Sequence, residues 1–170
     1  MLIRSNSSSL LDPEGVNMRR YLALGLIILC TLISSTIVHG AGADDILGVW
    51  NNQEKTARIE VMKCGDVYCG KIVWLEEPNY PEGSTDGVPG TPKLDHKNPV
   101  PEKRKTPVMG LPIVNDMRPD GEKTWSGGTV YDPKNGKTYK GKLTLIDQNR
   151  LDLRGYIGIS LIGRTAHWTR

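Results

Sequence analysis

The chain has 170 residues, with 22 Lys and Arg against 19 Asp and Glu, and a formal charge of +3. This length predicts one domain, because two halves would each be too small to bury an adequate core. A charged fraction of 24% and a mean hydropathy of −0.37 exclude a multispan membrane protein and argue against wholesale disorder. The weak net charge gives no support to nucleic-acid binding, for which a strongly basic face is expected.

The N-terminal residues have the pattern of an export signal. Arg19 and Arg20 precede an apolar run over residues 21–38, which is followed by small residues at positions 40–43. A basic segment, an apolar run and a small-residue exit are typical of a secretory signal peptide. We therefore predict cleavage before Asp44, and export to the bacterial periplasm or out of the cell.

Two alternatives to a cleaved signal stay open from the sequence. The apolar run is nearly long enough to span a bilayer, so an uncleaved anchor is one of them. A lipoprotein is the other, since Cys30 lies within the run, although a leucine precedes it where a small residue is usual. Translation can start at Met1 or at Met18. The predicted organisation is an extension and signal peptide over 1–43, then one domain over 44–170 with no membrane span.

Two cysteines remain in the predicted domain, Cys64 and Cys69, on either side of a Gly-Asp turn. In an oxidising compartment such a pair is typical of a disulfide, which here would staple a hairpin. A redox-active pair is the alternative, but the spacing is not Cys-x-x-Cys. A zinc site would need further ligands, and His96 and His167 are far apart in sequence. We predict a structural disulfide and no metal.

Short strands and turns account for most of the predicted domain. Residues 56–64 alternate between apolar and polar side chains, which is the period of a half-buried strand. The predicted strands cover residues 48–52, 56–64, 68–75, 109–114, 123–131, 138–146, 150–156 and 164–170. Asn135-Gly136 predicts a tight hairpin turn between two of them. About eight strands are enough to close an antiparallel barrel, so the predicted fold is an all-β barrel.

One long segment has neither a helical nor a strand period. Residues 76–107 hold seven of the eleven prolines, so we expect an irregular loop there. A loop of this length in a small domain is usually functional or mobile.

No group of catalytic residues emerges from the motifs. Residues 158–163 nearly match a nucleophile elbow around Ser160, but the second glycine is one residue late and no strand–helix context surrounds it. The 132–136 segment lacks the ligand spacing of a calcium loop. Glu76 and Glu77 are adjacent, and adjacent strand side chains point to opposite faces. We predict no catalytic residue and no cofactor.

Aromatic residues are the better candidates for a binding role. The four tryptophans lie on separate predicted strands, where they can replace the missing phenylalanines in the core or line the mouth of a barrel. The candidate ligand-binding residues are Trp125, Tyr131 and Tyr139 at the mouth or wall, with Asn98 and Arg104 in the long loop. The candidates for closing the barrel are Trp50, Arg164 and Trp168.

Two resemblances support this fold. Gly48-x-Trp50, taken with Arg164 and Trp168, is similar to the calycin pattern, in which an opening Gly-x-Trp packs against a late arginine. The chain also resembles a bacterial exported family, domain of unknown function 2147, over nearly all of residues 44–170. The matching motifs include Cys64-Gly65-Asp66, Cys69 to Leu75, Asn98-Pro99, Gly110 to Ile113, Trp125 to Gly128, Tyr131-Asp132-Pro133, Gly136 to Tyr139, Arg154 to Gly158 and Gly163-Arg164 to Arg170. In one departure, Thr106 stands where the family usually has an arginine, which puts an anion-binding role there in doubt.

The resemblance implies a lipocalin-like barrel but no activity, since the family is named for lacking one. Two hypotheses follow. The protein binds a small apolar or amphipathic ligand in the barrel mouth, or it is a structural or interaction component of the envelope with a filled barrel. An open apolar interior would favour the first and a close-packed interior the second. The sequence indicates no oligomeric state.

Overall fold

The computed structural model describes residues 42–170, and in them nine strands form a single antiparallel sheet. The strands are β1 Gly48–Asn51, β2 Ala57–Cys64, β3 Val67–Leu75, β4 Pro112–Pro119, β5 Thr124–Ser126, β6 Thr129–Asp132, β7 Lys137–Asp147, β8 Arg150–Tyr156 and β9 Gly163–Thr169. Two short 3-10 helices, Ala43–Ile46 and Pro101–Lys105, complete the regular structure of this part of the chain. The predicted signal peptide lies outside the described residues except for its last two positions.

The sheet closes on itself. β3 pairs with β2 on one side and with β4 on the other, and β9 pairs with both β8 and β1. β5 and β6 each lie between β4 and β7, so these two short strands occupy one place in the ring in succession. The predicted eight-stranded all-β barrel is therefore confirmed, with one extra strand.

The break between β5 and β6 corrects the prediction of one strand over 123–131. β4 bulges at Asp116, whose φ of 57° lies in the left-handed region. The bulge brings the β4 backbone so close that a Cβ atom on Gly128 would lie 2.1 Å from the carbonyl oxygen of Asn115. A glycine at position 128 lets the chain pass the β4 backbone, and the strand is interrupted there. β4 itself continues past the predicted end at residue 114, because the bulge at a turn-like Asn-Asp pair does not end the pairing.

The two ends of the barrel differ. The first 3-10 helix and the β2–β3, β4–β5 and β7–β8 hairpins lie at one end, here called the closed end. The β1–β2, β3–β4, β6–β7 and β8–β9 loops lie at the other, the open end. Large apolar side chains fill the closed half, among them Trp50, Met117, Trp125, Leu143 and Leu151, each fully buried. Burying one such side chain stabilises a fold by roughly 1.5–3 kcal/mol, so the packing of the closed half makes a large contribution to stability.

The closing arginine is Arg170, not Arg164. The Arg170 guanidinium lies 4.0 Å from the centre of the Trp50 ring and donates hydrogen bonds to the carbonyls of Asp45 (2.7 Å) and Leu47 (3.2 Å). Trp50 Nε1 donates to the carbonyl of Ile46 at 2.8 Å. Alternation puts position 164 on the inward face of β9 and gives the same direction to position 170 just after it, so the pattern alone does not say which of the two arginines closes the barrel. Arg164 lies at the open end.

The predicted disulfide is present. Cys64 and Cys69 are bonded across the β2–β3 hairpin, with their Cα atoms 6.0 Å apart. The bond closes a ring of only a few residues, so it constrains the hairpin locally and adds little to the stability of the barrel.

The described residues belong to one compact unit. Its sheet is closed and its core lies within residues 46–168. This part of the chain therefore contains what a domain needs to fold by itself.

Candidate functional site

The open half of the barrel contains a cavity of about 1530 Å³, which extends from the interior to the mouth. Trp168 forms part of its floor, above the packed residues of the closed half. The apolar wall is formed by inward-facing side chains of five strands, namely Ile59, Ile72, Ile113, Val130 and Leu153. Buried residues alternate along β2, β3 and β8, which is why their apolar side chains meet in one interior, whereas β4 buries the consecutive residues Ile113 and Val114 where its register with β3 shifts. Such a cavity can take the apolar part of a small molecule.

The basic side of the mouth has a polar site formed around a glycine. Arg164 pairs with Gly155 in the register of β8 and β9, and Tyr139 lies against the other side of this glycine. A Cβ atom on Gly155 would meet the Cβ atom of Tyr139 at 3.5 Å, so the missing side chain leaves room between the tyrosine ring and Arg164. Arg164 makes no hydrogen bond or salt bridge within residues 42–170. Its cation is therefore available to an anionic group at the mouth.

The mouth also carries acidic side chains. Glu54 from the β1–β2 loop and Glu76 and Glu77 after β3 line the cavity. Only Glu77 has a salt bridge, to Lys93 at 3.0 Å, among these described side chains. A charged ligand would therefore enter in one orientation, with a negative group towards Arg164 and away from the glutamates.

The connection between β3 and β4, residues 76–111, covers part of the open end and is here called the lid loop. It has an anchor in the buried Asp95, which is 1% exposed. Asp95 accepts hydrogen bonds from the Tyr131 hydroxyl at 2.7 Å and from Asn98 Nδ2 at 2.7 Å. Burial and the hydrogen bond to the Asp95 carboxylate raise the pKa of the Tyr131 hydroxyl, so it stays a donor at any physiological pH. Tyr131 thus joins the barrel wall to the lid loop.

A second contact holds the lid loop on the β6–β7 hairpin. Lys97 Nζ donates to the carbonyl of Lys134 at 2.9 Å. Gly136 has a φ of 71°, and a Cβ atom there would lie 1.9 Å from the carbonyl oxygen of Lys97. The Asn-Gly turn, which the sequence predicts as a hairpin connection, therefore also seats the lid loop.

The five candidate ligand-binding residues do not lie together. Tyr131 and Tyr139 line the cavity. Asn98 and Arg104 lie inside the lid loop, where Arg104 Nε donates to the carbonyl of Asn98 at 2.8 Å. Trp125 is fully buried at the closed end, edge-on to Tyr68 with ring centroids 6.2 Å apart. It is a core residue and not part of the cavity wall.

Sequence reasoning missed two features of the site. Asp95 is a lone carboxylate in a proline-rich stretch, and no motif marks it as buried. The position of Arg164 at the mouth is the other, because alternation with Ala166 and Trp168 gives its inward face but not how far along the barrel it lies.

A histidine–aspartate pair lies on the outer wall. His167 Nδ1 is 2.8 Å from Asp152 Oδ1, and Arg150 Nε is 3.0 Å from the same oxygen. The cavity does not include either partner. With Arg150, the pair forms a hydrogen-bonded cluster across β8 and β9.

Within residues 42–170, no group of three His, Cys, Asp or Glu side chains is arranged to hold a metal ion. No helix in the same residues is long and apolar enough to cross a membrane.

The barrel is lipocalin-like. It is closed, antiparallel and eight-stranded, with a cavity at one end and an arginine–tryptophan closure at the other. A solved structure described as "Protein HP1028 from the human pathogen Helicobacter pylori belongs to the lipocalin family" is similar to this chain, with a TM-score of 0.60. The two are 22% identical, and the match covers 73% of this chain and 81% of that one. At this identity the likeness shows the fold alone.

The family follows from the sequence match. The chain belongs to the family described as "Uncharacterized protein conserved in bacteria (DUF2147)", whose model matches residues 48–170. No curated protein matches the chain.

Proposed function

We propose that this protein is exported to the periplasm and binds a small amphipathic molecule in the open half of its barrel, without catalysis. The observation that carries the proposal is the cavity, which is walled by apolar side chains and connected to solvent at the mouth. A barrel whose interior served only for packing would have filled the open half as it fills the closed one.

The proposed ligand has an apolar part and an acidic end. The apolar part lies along Ile59, Ile72 and Leu153, where its burial removes apolar surface from water. The acidic end lies at Arg164, because a guanidinium without a partner among the described residues binds carboxylate or phosphate through charge-assisted hydrogen bonds. The Tyr139 ring and the space beside Gly155 fix the position of that end.

A cavity-blocking variant tests the proposal. Gly155→Leu places an aliphatic side chain in the space beside Tyr139, and we expect the affinity for a fluorescent fatty-acid analogue to fall about tenfold or more. Thr138→Leu places the same leucine side chain at an exposed position on the outer side of β7 and serves as the control. Equal affinities for the two variants would refute binding in this cavity.

The acidic end is tested separately. Arg164→Gln should weaken binding of the anionic probe roughly tenfold, the usual effect of losing a charge-assisted hydrogen bond, and should leave a neutral probe of similar size unaffected. If both probes lose affinity equally, the arginine supports the fold of the mouth and does not recognise charge.

The second candidate is an envelope component that acts through its surface, with no ligand in the cavity. Native mass spectrometry of the protein purified from periplasm distinguishes the two. A retained small molecule that leaves on unfolding supports binding. A protein that carries no ligand, and that binds neither probe, supports the second candidate.

Export is proposed on the signal-like pattern at the N-terminus, and the disulfide between Cys64 and Cys69 is compatible with an oxidising compartment. Cell fractionation and the mass of the mature chain test it. Recovery in the periplasm with a new N-terminus near Asp44 is the expected result. A cytoplasmic protein with reduced cysteines would contradict it.

A further inference from the structure

The loop between β8 and β9, residues 157–162, is here called the apolar loop. It exposes four large aliphatic side chains: Ile157 (70%), Ile159 (60%), Leu161 (85%) and Ile162 (74%). Single exposed apolar residues are common on protein surfaces, but four within six residues make a contiguous patch. The proposed binding function does not use the whole patch, because Ile159 and Leu161 do not line the cavity.

The conformation of the apolar loop is fixed by hydrogen bonds. Arg154 Nε donates to the carbonyl of Ser160 at 2.6 Å, and its Nη2 donates to the carbonyl of Leu161 at 3.0 Å. Its Nη1 donates to Thr165 Oγ1 at 3.0 Å, which ties the loop to β9. The arginine thus satisfies the backbone of the loop while the aliphatic side chains stay in solvent. The exposure is a feature of a defined turn.

The apolar loop is continuous with the mouth of the cavity. Ile157 and Ile162 are exposed to solvent and also line the cavity, so apolar surface runs from the outside of the loop into the barrel. A partner covering this loop would therefore also lie over the entrance.

Basic side chains flank the apolar loop. Lys140 pairs with Tyr156 in the register of β7 and β8, and Lys142 pairs with Arg154, so both lysines stand beside the strand that leads into the loop. Lys137 lies at the start of β7. None of these three lysines has a salt bridge within the described part of the chain. The apolar loop and the lysines beside it are together complementary to a surface that is apolar inside and anionic outside.

We propose that the apolar loop docks on an anionic lipid bilayer, with its aliphatic side chains at the boundary between headgroups and acyl chains. The lysines of β7 then lie among the lipid headgroups. The patch has an area on the order of 500 Å², which is the size of the largest patch on a typical monomer. This falls short of the roughly 800 Å² per partner in a standard protein interface, which argues against a second copy as the occupant.

Vesicle co-sedimentation tests the proposal, using residues 42–170 so that the apolar N-terminal run does not itself bind lipid. The unsubstituted barrel should sediment with vesicles of phosphatidylethanolamine and phosphatidylglycerol, and less with phosphatidylcholine alone. Ile159→Ser with Leu161→Ser should lower the partition coefficient about tenfold or more, since each serine removes aliphatic surface from the bilayer. Both positions are exposed, so near-ultraviolet circular dichroism should show an unchanged fold.

The matched control is Val49→Ser with Ile146→Ser. These residues are exposed aliphatic side chains at the closed end, 44% and 45% exposed. The control should sediment with the vesicles as the unsubstituted barrel does. Equal losses in the loop variant and the control would overturn the proposal, as would a barrel that binds neither vesicle composition.

The charge component has its own variant. Lys140→Gln with Lys142→Gln should lower binding to the phosphatidylglycerol vesicles about fivefold per lysine and leave binding to phosphatidylcholine unchanged. Light scattering after gel filtration tests for a second copy at the loop. A dimer that the loop substitutions dissociate, with vesicle binding unchanged, would show a protein interface instead and overturn the proposal. None of these measurements depends on a ligand in the cavity, so this proposal and the proposed binding function fail separately.

Discussion

Replacing Arg170 with alanine tests which residue closes the barrel. Arg170 donates to the carbonyls of Gln148 (2.6 Å), Asp45 (2.7 Å) and Leu47 (3.2 Å), so it joins the last residue of the chain to the β7–β8 hairpin and to the segment before β1. It also lies over the ring of Trp50 at 4.0 Å. The variant loses all four contacts at once.

The magnitude follows from these contacts. Three hydrogen bonds at a partly solvated site contribute about 0.5–1 kcal/mol each. The guanidinium over the indole contributes about 0.5–1 kcal/mol at an exposed position. Arg170→Ala should therefore lower the free energy of unfolding by about 2–4 kcal/mol. For a domain of this size that corresponds to a drop in Tm of roughly 8–16 °C.

The assay is urea unfolding followed by tryptophan fluorescence, with Arg164→Ala as the matched control. Arg164 has no hydrogen bond within the described residues, so its removal should change the free energy of unfolding by less than about 0.5 kcal/mol. Arg170→Lys keeps the charge and loses the planar fork, so it should recover part of the loss. If Arg164→Ala destabilises the protein as much as Arg170→Ala, our account of the closure is wrong.

Three further predictions concern the core, the lid loop and pH. Trp125→Ala should lower the free energy of unfolding by about 3–5 kcal/mol without changing the affinity of refolded protein for the probe. Trp125→Phe should lower the free energy of unfolding by only about 1 kcal/mol, because the indole N–H has no partner among the described residues and no hydrogen bond is lost. Tyr131→Phe removes one of two side-chain hydrogen bonds to the buried Asp95, so amide exchange in the lid loop should accelerate; unchanged exchange would show that Tyr131 does not hold the loop. Burial opposes ionisation of Asp152, but hydrogen bonds with Arg150 and His167 outweigh it and hold the pKa of Asp152 below its usual value of 3.8. The stability that the ionised Asp152 contributes is then complete above pH 3.8 and is lost as the pH falls through the lower folded-state pKa. The free energy of unfolding should therefore decline below about pH 4, and Asp152→Asn should make this decline less steep. An equally steep decline in the variant would contradict this.

Much of the fold could be predicted from local patterns. The alternation over 56–64 and the Asn-Gly turn predict β2 and the β6–β7 hairpin, and the structure confirms both. The pair of cysteines on either side of a turn, taken with the predicted export, predicts the disulfide. The predictions of the fold are wrong where contacts between segments distant in sequence determine the structure. The single strand predicted over 123–131 is interrupted because the β4 backbone presses against Gly128, a contact between segments that no local pattern encodes.

The candidate site was less predictable than the fold. Tyr131 and Tyr139 line the cavity as expected, because inward alternation in strands follows from the sequence. Alternation says which face a side chain takes but not how far along the barrel it lies. For that reason Trp125 and Arg164 lie at the ends of the barrel opposite to those that the sequence predicts.

The sequence by itself determined an all-β barrel of about eight strands, its disulfide and the long proline-rich connection. These follow from side-chain period, turn chemistry and cysteine spacing, all of which act over a few residues. The tertiary structure alone decided that one half of the barrel is packed and the other open, and that Asp95 is buried under the lid loop. It also decided that the aliphatic residues 157–162 remain exposed at the mouth. Each of these depends on how much space remains between segments distant in sequence, and that space exists only once the ring of strands has closed.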